Sequence, residues 1–238
     1  MKLDILAFAA HPDDVELSCA GTIMKHIDQG KKVGIIDLTE GELGSRGTAE
    51  TRREEAKAAS EIMGLHRRDN LRMRDGFFEL SESNKRLIIE QIRKYRPEIV
   101  LANAMSDRHP DHGRAGKLVS EACYLAGLRK IETIHEGVVQ EAHRPRAVYH
   151  YIQDYYMAPD FVVDVTGYVD RKIEAIKVYK TQFYDPESIE PQTPISGAEF
   201  IEFLKGRMIQ NGRIAKTEYA EAYTVERAPG VNDLFDLL

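Results

Sequence analysis

Ala10-His11-Pro12-Asp13-Asp14-Val15-Glu16 decides how the chain folds, because of what stands on either side of it. Leu3–Ala9, just before, is an unbroken apolar run, the signature of a short buried strand. After it, Leu17, Ala20, Met24 and Ile27 recur three or four apart and Gly30 follows, which predicts a helix and its C-terminal stop. One imidazole and three carboxylates therefore sit at a strand-to-helix turn. In an open α/β sheet such a turn lies outside the carboxyl end of a strand, where ligands bind. A buried structural turn has no use for so many acids, so the stretch reads as half of a metal site.

Val33–Leu38 is a second strand-like run, and the glycine- and charge-rich loop Thr39–Gly47 after it is placed to cover the site. Thr48–Met63 is helical, with Thr51 and Glu54 at capping-box spacing and Thr48 as the alternative cap. Arg52 and Arg53 occupy its first turns, where the helix dipole disfavours a cation; an anionic partner is one reading and solvation the plainer one. Asn70–Met73 reads as a short third strand. Ser83–Tyr95 is a helix with Leu87, Ile88, Ile92 and Tyr95 inward, ended by Arg96-Pro97, and Glu98–Asn103 is a buried strand. Directly after it comes Asp107-Arg108-His109-Pro110-Asp111-His112, and Gly113–Leu125 is again helical. The layout of the first cluster is repeated: strand, His-Pro-Asp, polar residue, helix.

Beyond Leu128 the alternation weakens. Ala147–Gln153 and Phe161–Thr166 predict strands and Tyr168–Tyr179 a helix, while Thr181–Pro194 reads as a loop or lid. Ser196 and Glu199, at capping-box spacing, open a helix with Phe200, Ile201, Leu204 and Met208 on its apolar side. The tail from Tyr223 ends in Val231, Leu234, Phe235, Leu237 and Leu238, apolar enough to dock on the core or across a subunit interface.

Four strand–helix alternations in the first 125 residues define an α/β fold: a Rossmann-like, mostly parallel sheet with helices on both faces, a three-layer sandwich. If the strand order is 3-2-1-4, the helices after strands one and four leave to opposite faces and both clusters open onto the switch-point crevice. His11, Asp13, Asp14, Glu16, His109, Asp111 and His112 then converge. Imidazole and carboxylate ligands without thiolates suit Zn²⁺, and also Fe²⁺, Mn²⁺ or Co²⁺. These candidates outnumber the three ligands a catalytic zinc takes, and the surplus leaves a base, an electrophilic helper and carboxylates to orient imidazoles. Acids beside a helix N-terminus also serve as caps or dipole complements, the plainer alternative for Asp13, Glu16 and Asp111. His66, His135, His143 and His150 have no partner at ligand spacing and read as surface or core residues.

The 238 residues suffice for one large domain or two small ones, and 30% charged with 42% hydrophobic residues is ordinary for a globular protein. A net charge of −6 without a basic stripe argues against nucleic acid as main partner. Cys19 and Cys123 form neither a metal-spacing motif nor a disulfide framework, which fits a reducing cytosol. There is no signal-peptide pattern, and no apolar run of roughly 18–20 residues to span a bilayer. The expectation is a cytoplasmic protein with no membrane partner.

His11-Pro12-Asp13-Asp14-Val15-Glu16 after a first strand, with His109-Pro110-Asp111-His112 later, resembles the LmbE/PIG-L superfamily of zinc-dependent N-acetylglucosaminide deacetylases. The resemblance runs from the N-terminus to at least about residue 165. Thr39-Glu40, Arg52-Arg53-Glu54-Glu55-Ala56 and Asp107-Arg108-His109 are similar to the bacillithiol-pathway branch, which deacetylates N-acetylglucosaminyl-malate. The resemblance implies one deacetylase domain over 1–238, with a Rossmann-like core at about 1–128 and C-terminal strands, lid and helices at about 129–238. It implies a metal held by His11, Asp14 and His112, Zn²⁺ with Fe²⁺ as the alternative. It makes Asp13 the general base and His109 the oxyanion-stabilising group, and a protonated His109 is one that the adjacent Asp111 helps keep charged.

Arg52, Arg108 and Glu40 are the candidate substrate contacts, the arginines for a carboxylate on the aglycone. The implied partner is a small amino-sugar conjugate, foremost N-acetylglucosaminyl-L-malate, with inositol, chitobiose or antibiotic-precursor conjugates as alternatives. The family's habits and the apolar tail favour a homo-oligomer. Two other classes stand beside this one. A non-catalytic nucleotide- or sugar-binding Rossmann-like module is opposed by the missing Gly-x-Gly-x-x-Gly after strand one. Another metallohydrolase, such as an esterase or phosphatase, is weakened by the few cations inside the two clusters.

Overall fold

The computed structural model describes residues 1–237. Strand and helix alternate four times: β1 (Ile5–Ala9), α1 (Asp14–Asp28), β2 (Val33–Asp37), α2 (Ala49–Met63), β3 (Arg67–Asn70), α3 (Glu82–Tyr95), β4 (Ile99–Ala102) and α4 (Pro110–Ala126). A small hairpin, β5 (Ile134–His135) with β6 (Val138–Val139), leads to β7 (Ala147–Tyr151), β8 (Phe161–Asp164), α5 (Val169–Lys177), α6 (Phe200–Ala215) and β9 (Ala220–Val225). The main sheet runs β3-β2-β1-β4-β7-β9-β8. Strands β3, β2, β1, β4 and β7 are parallel, and β9 enters antiparallel between β7 and β8. The expected α/β class and the 3-2-1-4 order are both observed.

Alternate side chains of β1 separate the layers, as a two-residue period requires. Leu6 and Phe8 join Ile88, Ile92, Leu118 and Ala122 under α3 and α4. Ile5, Ala7 and Ala9 join Val15, Ile23 and Met24 under α1. Each fully buried Leu, Ile or Phe stabilises the fold by about 1.5–3 kcal/mol before entropy is counted. A third cluster, Ala56, Ala59, Ile173, Ile176 and Leu204 among its members, ties α2 to α5 and α6. Cys19 and Cys123 are buried free thiols. Among the described residues no helix is long and apolar enough to cross a membrane.

Several elements differ from expectation. β3 lies at Arg67–Asn70 rather than Asn70–Met73, because its register is set by pairing with β2 on one side only, and an edge strand tolerates polar side chains. Thr48, not Thr51, caps α2: its hydroxyl accepts from Thr51 N–H, and the Thr51 hydroxyl bonds back to Thr48 N–H. α4 starts at Pro110 instead of Gly113, proline being suited to the first helical position. The Ser196–Glu199 box does not form; Ser196 bonds Thr193, and α6 begins at Phe200. Ile89 is buried while Leu87 is 39% exposed. Leu234 and Phe235 are exposed, so they do not dock on this chain's core, and Leu238 lies outside the described residues.

Candidate active site

Two strand ends build the site. At the end of β1, Asp13 takes φ 117° and ψ −23°, a left-handed backbone that an L side chain rarely adopts and that costs of order 1–3 kcal/mol. Partners on both sides hold it there. His11 N–H donates to Asp14 Oδ2 at 2.9 Å, and Arg52 Nη2 donates to the Pro12 carbonyl and lies 3.1 Å from Asp13 Oδ2. At the end of β4, His109 is the N-cap of α4, and its Nδ1 accepts from Asp111 N–H at 3.3 Å. That bond assigns the His109 proton to Nε2, an N–H donor free of the cap. The rings of His11, His109 and His112 lie 4.7–5.5 Å apart, centre to centre, so the two clusters do meet across the crevice.

The outer nitrogens of two imidazoles are taken by carboxylates. His11 Nε2 lies 3.0 Å from Asp75 Oδ1 and 3.4 Å from Asp111 Oδ2, and His112 Nδ1 lies 2.5 Å from Asp107 Oδ2. Their inner nitrogens face one acid: His112 Nε2 is 3.0 Å from Asp14 Oδ1 and His11 Nδ1 is 3.7 Å from Asp14 Oδ2. Asn103 Nδ2 and Gln153 Nε2 donate to the same two Asp14 oxygens at 3.0 and 3.2 Å. This is the arrangement of metal-binding histidines, each oriented by an acid behind it. Ring nitrogens of all three histidines come within 4.8 Å of one another, but His109 Nδ1 is spent on the cap, which favours Asp14 as third ligand.

Electrostatics test the fit. Burial lowers His11, yet hydrogen bonds to Asp111 and Asp75 and the charge of Asp14 raise it to about 10. Burial likewise lowers His112, and Asp14 with Asp107 raises it to about 9. Burial works against the charged form of Asp14, yet His112 and His11 hold it far below the usual carboxylate range. The carboxylates around both imidazoles therefore favour positive charge between them. Imidazole nitrogens beside a buried carboxylate are a donor set that suits a divalent cation.

Asp13 differs from its neighbour. Burial pushes its carboxyl up to about 7, against the pull of Arg52. His109 is lowered, by burial first and then by His11 and His112. Asp111 and Asp14 pull the other way, in the sense expected of Asp111, without outweighing burial. The Asp111 carboxylate also accepts from Gly76 N–H at 2.8 Å and Arg114 Nη1 at 2.6 Å and faces His11.

A cleft of about 370 Å³ opens over the cluster and continues between α1, α6 and β9. Arg52 and Arg108 both line it, but their guanidiniums hold the chain's own acids, Asp13 and Asp154. Glu40 turns away from the cleft to Arg53 and Arg72, at 3.2 and 3.6 Å, because those cations flank it on α2 and after β3. Glu16, left without a role by its spacing, is buried against Arg68 and Tyr179 at 2.5 and 2.8 Å. The loops 39–47 and 181–195 both border the cleft and are joined, since buried Arg46 bonds the Thr181 carbonyl and Ser188. Sequence reasoning missed Asp75, Asn103 and Gln153. Each follows the carboxyl end of a strand, which is the one signal that was available.

A mostly parallel sheet that gathers three imidazoles and five acids at its switch point is the framework of an α/β enzyme. The family described as PIG-L: GlcNAc-PI de-N-acetylase matches residues 6–123, the stretch holding every histidine and acid of the cluster. The chain is 34% identical to the conserved protein TT1542 from Thermus thermophilus, over 96% of this chain and 97% of that one, with a TM-score of 0.85. It is 29% identical to the diacetylchitobiose deacetylase of Thermococcus kodakarensis, over 95% of this chain and 84% of that protein. With the probable N-acetyl-alpha-D-glucosaminyl L-malate deacetylase 2 of Bacillus anthracis it shares 26% over 75% of this chain and 81% of that protein. The chain belongs to the PIG-L family of N-deacetylases.

Proposed function

We propose that the protein, acting as one domain over residues 1–238, hydrolyses the acetamide of an N-acetylglucosaminide in a metal-dependent reaction. The foremost substrate is N-acetylglucosaminyl-L-malate, and N,N'-diacetylchitobiose is the competing one. One observation carries the reading: two imidazoles backed by buried carboxylates present their inner nitrogens to Asp14, with the uncoordinated Asp13 alongside. His11, Asp14 and His112 would hold Zn²⁺ or Fe²⁺, and such a cation supplies Lewis acidity.

The chain's own groups account for the protons. Asp13 takes a proton from water as the water oxygen bonds to the acetamide carbon. His109 Nε2–H donates a hydrogen bond to the carbonyl oxygen as negative charge grows there, which a neutral imidazole can do. Asp13 then returns its proton to the nitrogen as the C–N bond breaks, leaving acetate and a free amino sugar. Arg52 fixes the Asp13 carboxylate toward the cleft, and Asp75, Asp107 and Asp111 fix the rings.

Acetate release from a panel of conjugates, after chelation and with Zn²⁺ or Fe²⁺ added back, tests the reading. Asp13→Ala is expected to keep the metal and lose turnover by about 10²–10⁴-fold, the usual span of a general base. His112→Ala should lose the metal itself. Full activity in the chelated enzyme, or in Asp13→Ala, would refute the assignment.

A further inference from the structure

The cleft reaches well past the histidines, and one helix face lines its far part. Phe200, Phe203, Leu204, Arg207, Met208 and Asn211, all on α6, border it at the spacing of a single helical stripe. In a plain core helix that stripe is apolar throughout. Here Arg207 and Asn211 interrupt it, and of the two only Arg207 carries a charge.

Four Lys and Arg side chains border the cleft: Arg52, Arg108, Lys172 and Arg207. Three hold carboxylates: Arg52 with Asp13 at 3.1 Å, Arg108 with Asp154 at 2.6 Å, and buried Lys172 with Glu221 at 2.7 Å. Arg207 has no carboxylate within 4.0 Å among the described residues. Among them its only hydrogen bond is from Nη1 to the Asp154 carbonyl at 3.4 Å, and its guanidinium lies 5.5 Å from the Phe203 ring centre. Burial pulls it below its ordinary pKa, with Asp154 and Asp107 opposing. A partly buried cation with no carboxylate in direct contact is costly, since Asp154 and Asp107 act on it only from a distance, and an incoming anion offsets that cost.

Its position connects it to the chemistry. Asp154 N–H donates to Asp107 Oδ1 at 2.9 Å, and Asp107 Oδ2 holds His112 Nδ1. The backbone segment that seats Arg207 is therefore the one that helps orient a candidate metal ligand.

Resting on the deacetylase reading above, we infer that Arg207 binds an oxyanion, carboxylate or phosphate, on the aglycone of the substrate. The cleft-facing side of α6 then sets the substrate class, an anionic N-acetylglucosaminide. The paired arginines Arg52 and Arg108 shape the cleft without supplying the free charge.

Kinetics of the metal-loaded enzyme with three substrates test this: N,N'-diacetylchitobiose, N-acetylglucosaminyl-malate and N-acetylglucosamine 1-phosphate. Arg207→Met, which keeps the stem and removes the charge, should raise KM about tenfold or more on the preferred anionic substrate, the loss expected of a charged hydrogen bond. Its effect on the neutral disaccharide should be several-fold smaller, and Arg207→Lys should recover part of the loss. Which anion shows the larger effect tells carboxylate from phosphate. Equal KM changes on neutral and anionic substrates overturn the proposal. Calorimetric titration with the deacetylated products, glucosaminyl-malate and glucosamine 1-phosphate, separates this from the parent reading. If no substrate is hydrolysed, the deacetylase reading fails. Arg207-dependent binding of either product still supports the anion site, and binding indifferent to Arg207 overturns it.

Discussion

Asp13 and Asp14 are adjacent in the chain and chemically opposite. Asp14 is surrounded by donors and imidazoles that hold it far below the usual carboxylate range. Burial instead raises Asp13 to about 7 against the pull of Arg52 and His11, a value at which it can both take and return a proton. The left-handed backbone at Asp13 splits them, directing one carboxylate at the histidines and the other at Arg52. The acids behind the imidazoles matter as much as the ligands. Asp107→Asn keeps the shape but replaces the acceptor on His112 Nδ1, and metal affinity is expected to fall about 10–100-fold. Competition against a chelator of known affinity measures it. The residues proposed as ligands and base were legible as two clusters because they stand at short spacing; their separate roles came from the family resemblance. Asp75, Asn103 and Gln153 were not, since each comes alone from a separate strand end. Arg52 shows the reverse case: its awkward place in the first turn of α2 left an anionic partner as one reading beside the plainer solvated one, and the structure gives it Asp13 as partner.

Helix starts carry much of the local information. Thr48 closes α2 through two reciprocal bonds with Thr51, so Thr48→Ala should cost about 0.5–2 kcal/mol. Glu54→Ala, on the exposed side, should stay within about 0.5 kcal/mol. Urea titration reads both as shifts in midpoint without a change in slope. Spacing alone allowed either threonine as the cap, because a Thr hydroxyl bonds back as a Glu does. At α4 the same ambiguity hid a function: His109 and Pro110 look like loop residues, yet they are the cap and first turn, which fixes the tautomer of His109. The apolar residues of α6 were legible as one side of a helix. That this side walls a cleft was not, because packing partners and cavity walls have the same composition.

For the molecule as a whole, hydrophobic runs and their alternation with helices sufficed for the α/β class. The common doubly wound order assumed for it, 3-2-1-4, is the one observed, which places the meeting of the two clusters. β9 escaped notice, since Ala220–Val225 carries Glu221 at its second position and no plain strand pattern. That glutamate ties the strand to α1 and α5. Its carboxylate accepts from Gly21 and Thr22 N–H at 2.9 and 2.7 Å, where α1 departs from helical geometry at Cys19, and pairs with Lys172. A chain ending at Tyr219 leaves β8 without its only sheet neighbour among the described residues and strands those two amides, at about 1–3 kcal/mol each. Such a chain is expected to lose its cooperative thermal transition. The same clamp orders events at the ribosome. Every candidate ligand has been synthesised by His112, yet the first helix waits about a hundred residues more for the acid that completes it. Contacts so distant in sequence close slowly, and the nascent chain presents open sheet edges meanwhile. Completion of the first helix is therefore timed by β9, long after the candidate ligands are in place.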